Sequence, residues 1–322
     1  MSGTAGETNN LLLAITHWPS GPWVKRFSEL LPERRCVAER AGIDPASIGY
    51  AAAWKHEPGA FAGLPNLKAV FSLGAGVDHL FRDQHLPDVP LIRIVDPDLT
   101  LRMGEWVALH VLRYHREYDR YAAQQKQALW RENYDQPAAR EVRVGILGLG
   151  VLGQHAARVL GTIGFDLAGW SRSPREVPGI ACFAGDKELP AFLARTDILV
   201  CLLPLTPDTR GILNRDLFSK LARDGRIAGP VVLNAGRGGL QVESDIVACL
   251  DDGTLAAATL DVFETEPLSP SSALWLHPRV SITPHNSAMS APEAVARQVA
   301  EQIRRFEAGL PLENLVDRDA GY

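Results

Sequence analysis

Three glycines between an apolar run and an amphipathic stretch constrain the fold of this chain more than any other feature. They are Gly148, Gly150 and Gly153, and they have the spacing G-x-G-x-x-G within VRVGILGLGVLGQHAARVLGTIG, residues 142–164. In such a strand–turn–helix unit the first glycine makes the turn, the second lets a pyrophosphate approach the main chain, and the third lets helix and strand pack closely. The helix N-terminus adds N–H donors and positive potential. We therefore predict that this turn, together with Leu152, binds a dinucleotide; a tight turn without a ligand is the alternative.

Short β-rich runs alternate with helix-like stretches along most of the chain, which is typical of parallel α/β sheets. The first third contains four candidate strands, at 11–18, 48–55, 67–73 and 91–95. A second series of six candidate strands begins at residue 142. Six strands after a single break predict a complete Rossmann-type, doubly wound parallel domain behind a smaller α/β domain. The last helix, between Pro292 and Gly309, follows the final strand and can therefore return to the first domain.

Residues 102–127 are predicted to form one long helix, because they contain no Pro and no Gly after Gly104. Apolar and aromatic residues recur there at spacings of three and four, so that one face is apolar over several turns. These residues are Met103, Trp106, Val107, Val111, Tyr114, Tyr118 and Tyr121. Such a face belongs either to the core or to a subunit interface.

The bulk composition is that of a globular protein and argues against a nucleic-acid-binding surface. Hydrophobic residues make up 46% of the chain and charged residues 22%, which supplies an ample core. The net charge is −5, whereas phosphate binding needs a dense positive footprint. The cysteines have no CxxC spacing, so no metal site is expected, and the opening MSGTAGETNN does not lead into a signal or membrane span. We expect a cytoplasmic protein with neither a membrane nor a nucleic-acid partner.

The segment AGWSRSPR, residues 168–175, predicts which dinucleotide is bound. It ends the strand that follows the glycine turn, where an enzyme that uses NAD presents Asp or Glu to the ribose 2′-hydroxyl. Here that end carries Ser171, Arg172 and Ser173, whereas the carboxylate of the strand itself, Asp166, is at the opposite end. A guanidinium and two hydroxyls suit a 2′-phosphate. We therefore predict NADPH, with NADH as a weaker cofactor; a solvated loop arginine is the alternative.

Further strand ends in the second series carry charged or ionisable side chains. VVLNAGRGG leads into Arg237, LDVFETEPL contains Asp261 and Glu266, and VSITPHNSA contains His285. Ligands of open α/β sheets bind outside the carboxyl ends of the strands. The sequence therefore predicts that these side chains converge on one crevice.

Several motifs, in this order, resemble those of the D-isomer-specific 2-hydroxyacid dehydrogenase family along the whole chain. Within that family the chain is most similar to the NADPH-dependent glyoxylate/hydroxypyruvate reductases of the A type. The motifs are SLGAGVDHL, GILGLGVLG, WSRS, LLPLTPDTRGIL, LNAGRG, LDVFETEPL, TPH and VDRDAGY. The resemblance implies a flavodoxin-like substrate domain formed by residues 1–101 and 287–322, a dinucleotide-binding domain at 102–286, and a homodimer built around the helix at 102–127.

The resemblance also implies roles for individual residues of the site. The catalytic arginine of the family corresponds to Arg237, its acid to Glu266 and its histidine to His285. A forked guanidinium suits the carboxylate of a 2-oxo acid, and an imidazole suits proton donation to the alkoxide that a hydride creates. A carboxylate beside the imidazole favours its protonated form and fixes the orientation of the ring.

The remaining expected contacts concern the substrate and the nicotinamide. By resemblance, the main-chain N–H groups of Ala75 and Gly76 bind the substrate carboxylate, as anion-binding nests do, and Trp54 is either a wall of the pocket or a core residue. For the cofactor, the resemblance implies contacts from the loop of LLPLTPDTRGIL, through Pro204 and Thr209, and from Asp261 to the carboxamide.

These features predict the reduction of a small 2-oxo acid by NADPH, from glyoxylate to glycolate or from hydroxypyruvate to D-glycerate. One alternative is a dehydrogenase for a bulkier 2-oxo acid such as phenylpyruvate. Another is a non-enzymatic protein that senses the dinucleotide, like the transcriptional corepressors that resemble this family.

Overall fold

A computed structural model of the chain describes residues 9–16 and 18–322. His17, within the predicted strand at 11–18, and the opening MSGTAGET lie outside the described residues. The strands are β1 (Asn10–Ile15), β2 (Cys36–Val37), β3 (Ile48–Trp54), β4 (Ala69–Ser72), β5 (Leu91–Ile92), β6 (Arg143–Leu147), β7 (Asp166–Ser171), β8 (Ala181–Ala184), β9 (Ile198–Cys201), β10 (Val231–Asn234), β11 (Ala257–Leu260) and β12 (Val280–Ile282). The α-helices are α1 (Ser20–Leu30), α2 (Pro97–His115), α3 (Tyr118–Lys126), α4 (Val151–Ile163), α5 (Gly185–Ala194), α6 (Arg215–Ser219), α7 (Glu243–Asp251) and α8 (Pro292–Glu307).

The chain divides into two compact units. The first contains the described residues up to Leu99 together with Ser290–Tyr322, and the second is Thr100–Met289. The predicted domain limits, 101/102 and 286/287, lie two and three residues from these divisions.

The first unit is built on a five-stranded parallel sheet with the order β2-β1-β3-β4-β5. This is the order of the flavodoxin-like doubly wound fold. The C-terminal helix α8 packs against α1, and its buried face, which includes Val295, Val299 and Ile303, joins the core around Phe27 and Phe71. The predicted α/β class is therefore confirmed, although the sequence did not predict the two-residue edge strand β2.

The second unit is built on a seven-stranded parallel sheet with the order β12-β11-β10-β9-β6-β7-β8. Six of its seven strands, all but the short β8, are those that the sequence predicted. The central strands are buried along their whole length because helices cover both faces of such a sheet. Ile198–Cys201 and Val231–Asn234, for example, are buried at every position. The prediction of a Rossmann-type domain is confirmed.

The prediction of one long helix at 102–127 is wrong. The segment forms two helices, α2 and α3, which are separated at Glu117, where φ is +51°. A left-handed residue interrupts the helical hydrogen-bond ladder. Ion pairs hold the resulting corner, since Arg113 binds Asp119 at 2.6 Å and Arg120 binds Glu117 at 2.8 Å. The predicted apolar face is buried at Met103, Trp106, Val107 and Val111, whereas Tyr118 is 65% exposed.

Among the described residues, no helix combines the length and the apolarity that crossing a membrane requires.

The glycine turn joins β6 to α4, and the first turn of the helix packs very closely against the end of the strand. Gly148 has φ +111°, which favours glycine, and Gly150 is the N-cap of α4. A Cβ atom on Gly153 would lie 1.9 Å from the carbonyl oxygen of Gly148, whereas a Cβ on Gly150 would meet no atom of the described residues within 4 Å. Gly153 is therefore required by packing, and Gly150 leaves open space above the helix terminus.

We predict that Gly153→Ala lowers the free energy of unfolding by about 2–4 kcal/mol, because strand and helix must separate to admit the methyl group. Gly150→Ala is the matched control, and we expect it to change the free energy by less than about 1 kcal/mol. Urea denaturation followed by circular dichroism measures both. Equal losses in the two variants would contradict the packing role of Gly153.

Candidate active site

The carboxyl ends of the strands in the second unit carry most of the residues that the sequence singled out. Parallel strands all end at the same edge of a sheet, so their following loops are neighbours. Those that end or follow a strand are Gly148 and Gly150 after β6, Ser171, Arg172 and Ser173 at β7, Pro204 and Thr209 after β9, Arg237 after β10, Asp261 after β11 and His285 after β12.

The side chains of His285 and Glu266 are in close contact at this edge. The Nδ1 atom of His285 lies 2.8 Å from Oε2 and 3.0 Å from Oε1 of Glu266. Both side chains are partly accessible, at 36% and 22%. The carboxylate therefore fixes the ring through Nδ1, and the opposite nitrogen, Nε2, is the one that can exchange a proton with a bound molecule.

The turn that carries His285 is held by the carboxylate of Asp261, which is fully buried. Its Oδ1 atom accepts hydrogen bonds from the main-chain N–H groups of Asn286 (3.0 Å) and Ser287 (3.1 Å), and its main-chain oxygen accepts from the N–H of His285 (2.8 Å). A buried carboxylate is stable only when such donors surround it. These bonds hold His285 at φ +52°, an uncommon conformation for a residue with a side chain.

Thr283 connects the same carboxylate to helix α2. Its hydroxyl donates to Oδ1 of Asp261 at 2.5 Å and accepts from Nε1 of Trp106 at 3.2 Å. Trp106 is buried. The helix therefore supports the histidine turn through a chain of two hydrogen bonds.

A second buried polar residue, Asn234, shapes the loop that contains Arg237. The Nδ2 atom of Asn234 donates to the main-chain oxygen of Arg237 (3.1 Å) and to Oε1 of Gln241 (2.8 Å), and its Oδ1 accepts from the N–H of Gly236 (3.0 Å). The guanidinium of Arg237 is half-buried, and its Nη1 donates to the main-chain oxygen of Gly236 at 2.8 Å. The loop thus has a fixed path at the sheet edge.

The arginine loop and the His–Glu pair are attached to the same segment of chain. Gln241 donates to the main-chain oxygen of Val262 at 2.9 Å, and a Cβ on Gly238 would lie 1.9 Å from the carbonyl carbon of Phe263. The N–H of Phe263 in turn donates to Oε1 of Glu266 at 3.2 Å. This segment therefore places the three predicted catalytic residues on one connected framework.

The nucleotide end of the site has the features that a phosphate-binding turn needs. Among the described residues, no side chain caps the N-terminus of α4 at Gly150, where the backbone is not crowded by neighbouring atoms. Leu152 lies half-buried in the first turn of α4. Ser171 is buried and donates to the main-chain oxygen of Ser173 at 2.8 Å, which leaves Arg172 exposed at the turn between them.

The loop after β9 is closed by its own threonines. The hydroxyl of Thr209 donates to the main-chain oxygen of Pro204 at 2.7 Å and accepts from the N–H of Thr206 at 2.9 Å. The contacts of Pro204 and Thr209 with a cofactor stay predictions.

Residues 108–287 match the model of the NAD-binding domain of the D-isomer specific 2-hydroxyacid dehydrogenases. Two curated relatives, both named glyoxylate/hydroxypyruvate reductase A, come from Yersinia enterocolitica and Serratia proteamaculans and are 40% and 41% identical, over 97% of this chain and 100% of theirs. The chain belongs to the D-isomer specific 2-hydroxyacid dehydrogenase family. The resemblance that the sequence motifs indicated is therefore confirmed.

Solved structures of the family agree with this assignment. An NADPH-dependent glyoxylate/hydroxypyruvate reductase from Sinorhizobium meliloti, in complex with NADP and sulfate, is 49% identical and has a TM-score of 0.91, over 98% of this chain and 100% of that one. A probable 2-hydroxyacid dehydrogenase from Rhizobium etli, in complex with NADP, HEPES and L(+)-tartaric acid, is 43% identical with a TM-score of 0.93, over the same shares of the two chains.

The remaining predicted residues of this 2-hydroxyacid dehydrogenase, Trp54, Ala75 and Gly76, belong to the first unit. Trp54 ends β3, and Ala75 and Gly76 follow the neighbouring strand β4. The ring of Trp54 stacks on Trp18, with centroids 4.8 Å apart. Trp54 is half-buried and packs against the core of the first unit, so both alternatives for it stay open. Its role in binding substrate, like that of the other two, stays a prediction.

The sequence analysis did not identify the residues whose hydrogen bonds hold the loops of the dehydrogenase site in place. They are Trp106, Asn234, Gln241 and Thr283, and none of them was singled out as a site residue. A polar side chain at the end of an apolar strand, as in VVLN and VSIT, is the signal that could have found Asn234 and Thr283. The role of Trp106 depends on a contact 177 residues along the chain, which no local pattern indicates.

Proposed function

We propose that this protein is an NADPH-dependent reductase of small 2-oxo acids, which converts glyoxylate to glycolate and hydroxypyruvate to D-glycerate. The observation that carries the proposal is the contact of His285 with Glu266 at the carboxyl edge of a dinucleotide-type sheet. The names of the curated relatives, and the NADP bound in the related structures, support the same substrates and cofactor.

The glycine turn and the end of β7 fit NADPH. The uncapped N-terminus of α4 and the open space at Gly150 suit a pyrophosphate, which would approach the main chain there. At the end of β7 the exposed side chain is Arg172, whose guanidinium suits a 2′-phosphate. A carboxylate at this position would repel that phosphate. When bound, the dinucleotide supplies a hydride to the carbonyl carbon of the substrate.

The residues of the chain provide the other requirements of the reaction. In the second unit, Arg237 binds the carboxylate of the substrate with its forked guanidinium. In the first unit, the main-chain N–H groups of Ala75 and Gly76 are carboxylate-binding donors, as the family resemblance implies. His285 donates the proton that the new alkoxide oxygen needs, and Glu266 keeps the ring oriented and balances its charge. Asp261 keeps the turn in place; because its carboxylate is fully buried, in this conformation it does not reach the nicotinamide carboxamide in the way that the resemblance had implied.

The protein works as a homodimer in this proposal, and the two-helix segment α2–α3 forms part of the interface. Apolar side chains are exposed along and just beyond this segment, including Leu109 at 62%, Trp130 at 88% and Tyr134 at 92%. Large exposed aromatic residues are characteristic of interfaces.

The four cysteines all lie in the described residues and none is in a disulfide, which supports a reducing cytoplasm as the location.

We expect purified protein to oxidise NADPH when glyoxylate or hydroxypyruvate is added, and His285→Ala to lower kcat by about 10²–10⁴ because the alkoxide loses its proton donor. Absorbance of NADPH, with glycolate and D-glycerate quantified as products, measures the reaction. His85→Ala, at a histidine of the first unit whose side chain is largely exposed, is the control. Near-normal kcat in His285→Ala would contradict the mechanism, and no NADPH oxidation with any 2-oxo acid would contradict the function.

Arg172→Ala should raise the KM for NADPH by about 10- to 100-fold, the usual effect of losing hydrogen bonds between charged groups. The KM for NADH should change little, because NADH lacks the 2′-phosphate. Initial rates with glyoxylate and each nucleotide measure both values. Equal changes for the two nucleotides would contradict the assignment of the phosphate site.

A further inference from the structure

The loop Gly74–Gly76 is folded around one buried hydroxyl. Ser72 ends β4 and is fully buried. Its Oγ lies 3.0 Å from the main-chain oxygen of Gly74 and 3.1 Å from that of Gly76, and it accepts from the N–H of Gly74 at 3.2 Å. The path of this loop, and hence the direction of its N–H groups, depends on this one side chain.

His79 completes the hydrogen bonding of that hydroxyl. It is buried, and its Nε2 lies 3.1 Å from Oγ of Ser72. A hydroxyl has one proton and two lone pairs. The hydroxyl proton of Ser72 must point to the main-chain oxygen of Gly74 or to that of Gly76. If it pointed elsewhere, the hydroxyl oxygen would be repelled by both of these carbonyl oxygens. One lone pair accepts from the main chain, so the other accepts from His79, which must carry a proton on Nε2.

The same histidine also contacts the aromatic side of the loop. The ring of Trp54 lies edge-on to His79 with centroids 5.0 Å apart. A Cβ on Gly74 would lie 2.3 Å from the Trp54 ring, so the loop is packed tightly against the indole. Loop, indole and imidazole therefore form one packed cluster, in which His79 contacts both the indole and the hydroxyl.

From these contacts we infer that Ser72 and His79 are positioning residues for the reaction, which orient the loop Gly74–Gly76 so that its N–H groups can bind the carboxylate of the substrate. This inference rests on the proposed function, in which Ala75 and Gly76 bind that carboxylate. Neither side chain needs to touch the substrate, because each acts through the main chain.

The test compares His79→Leu, His79→Gln and Ser72→Ala with wild type. His85→Leu is the matched control, since its side chain is largely exposed on the same segment. Loss of the donor in His79→Leu should raise the KM for glyoxylate about three- to tenfold. The kcat and the KM for NADPH should stay within about twofold of wild type, because only substrate binding is affected.

The conservative variant separates the hydrogen bond from packing. His79→Gln keeps an N–H donor at similar reach, so it should recover most of the wild-type KM for glyoxylate. The double variant Ser72→Ala/His79→Leu should be no worse than the worse single variant, because both residues act on one network. Thermal melting identifies any variant that fails to fold, and the surviving variants then carry the comparison.

Three results would overturn the inference. They are an unchanged KM for glyoxylate in His79→Leu, an equal loss in His79→Gln and His79→Leu, and a parallel loss of kcat and of affinity for NADPH. Calorimetric binding of oxalate, a dicarboxylate of similar shape, in the presence of NADPH, makes the test independent of turnover. If the wild-type protein binds oxalate but reduces no 2-oxo acid, the proposed function is contradicted. In that case, weaker binding of oxalate by His79→Leu than by wild type still supports the inference. Equal binding of oxalate by the two proteins overturns it.

Discussion

The site of the second unit depends on how the chain turns between Thr283 and Ser287. A carboxylate with no exposure to solvent, that of Asp261, lies at the centre of this turn and accepts from a threonine hydroxyl and two main-chain N–H groups. Removing such donors from a buried carboxylate costs several kcal/mol, on the order of a protein's whole margin of stability. The buried carboxylate therefore needs the donors of this turn, and the turn needs the carboxylate to keep its conformation. The position of His285 beside Glu266 depends on both.

The same device recurs at the strand ends of both sheets. Ser72 at β4, Asn234 at β10 and Asp261 after β11 are fully buried polar residues. Ser72 and Asn234 each hold the loop that follows them, and Asp261 holds the loop that follows the neighbouring strand β12. Polar groups buried at a sheet edge must find partners, and the nearest partners are the main-chain groups of the next loop. Loops fixed in this way hold their functional groups without help from bound ligand, which is what pre-organised binding requires.

The parts of the fold that the sequence predicted are those with strong local signals. Parallel strands buried on both faces appear as apolar runs, and the glycine turn has a spacing that few other structures need. Strands β2 and β8 were missed because short edge strands have little periodicity, and the break at Glu117 was missed because aromatic spacing continues through Tyr118 and Tyr121. In the site, Glu266 and His285 were placed by family resemblance, and the residues that support them were not, because their contacts are distant in sequence.

The central claim is that Glu266 holds His285 as the oriented proton donor. Glu266→Gln tests it most directly, with Glu264→Gln as a control, since Glu264 is an exposed carboxylate two residues earlier in the same segment. With glyoxylate and NADPH at saturation, the account predicts that kcat falls by at least about tenfold in Glu266→Gln, because an amide neither balances the imidazolium nor fixes the ring as strongly, and that Glu264→Gln keeps the wild-type kcat. Wild-type kcat in both variants would contradict it.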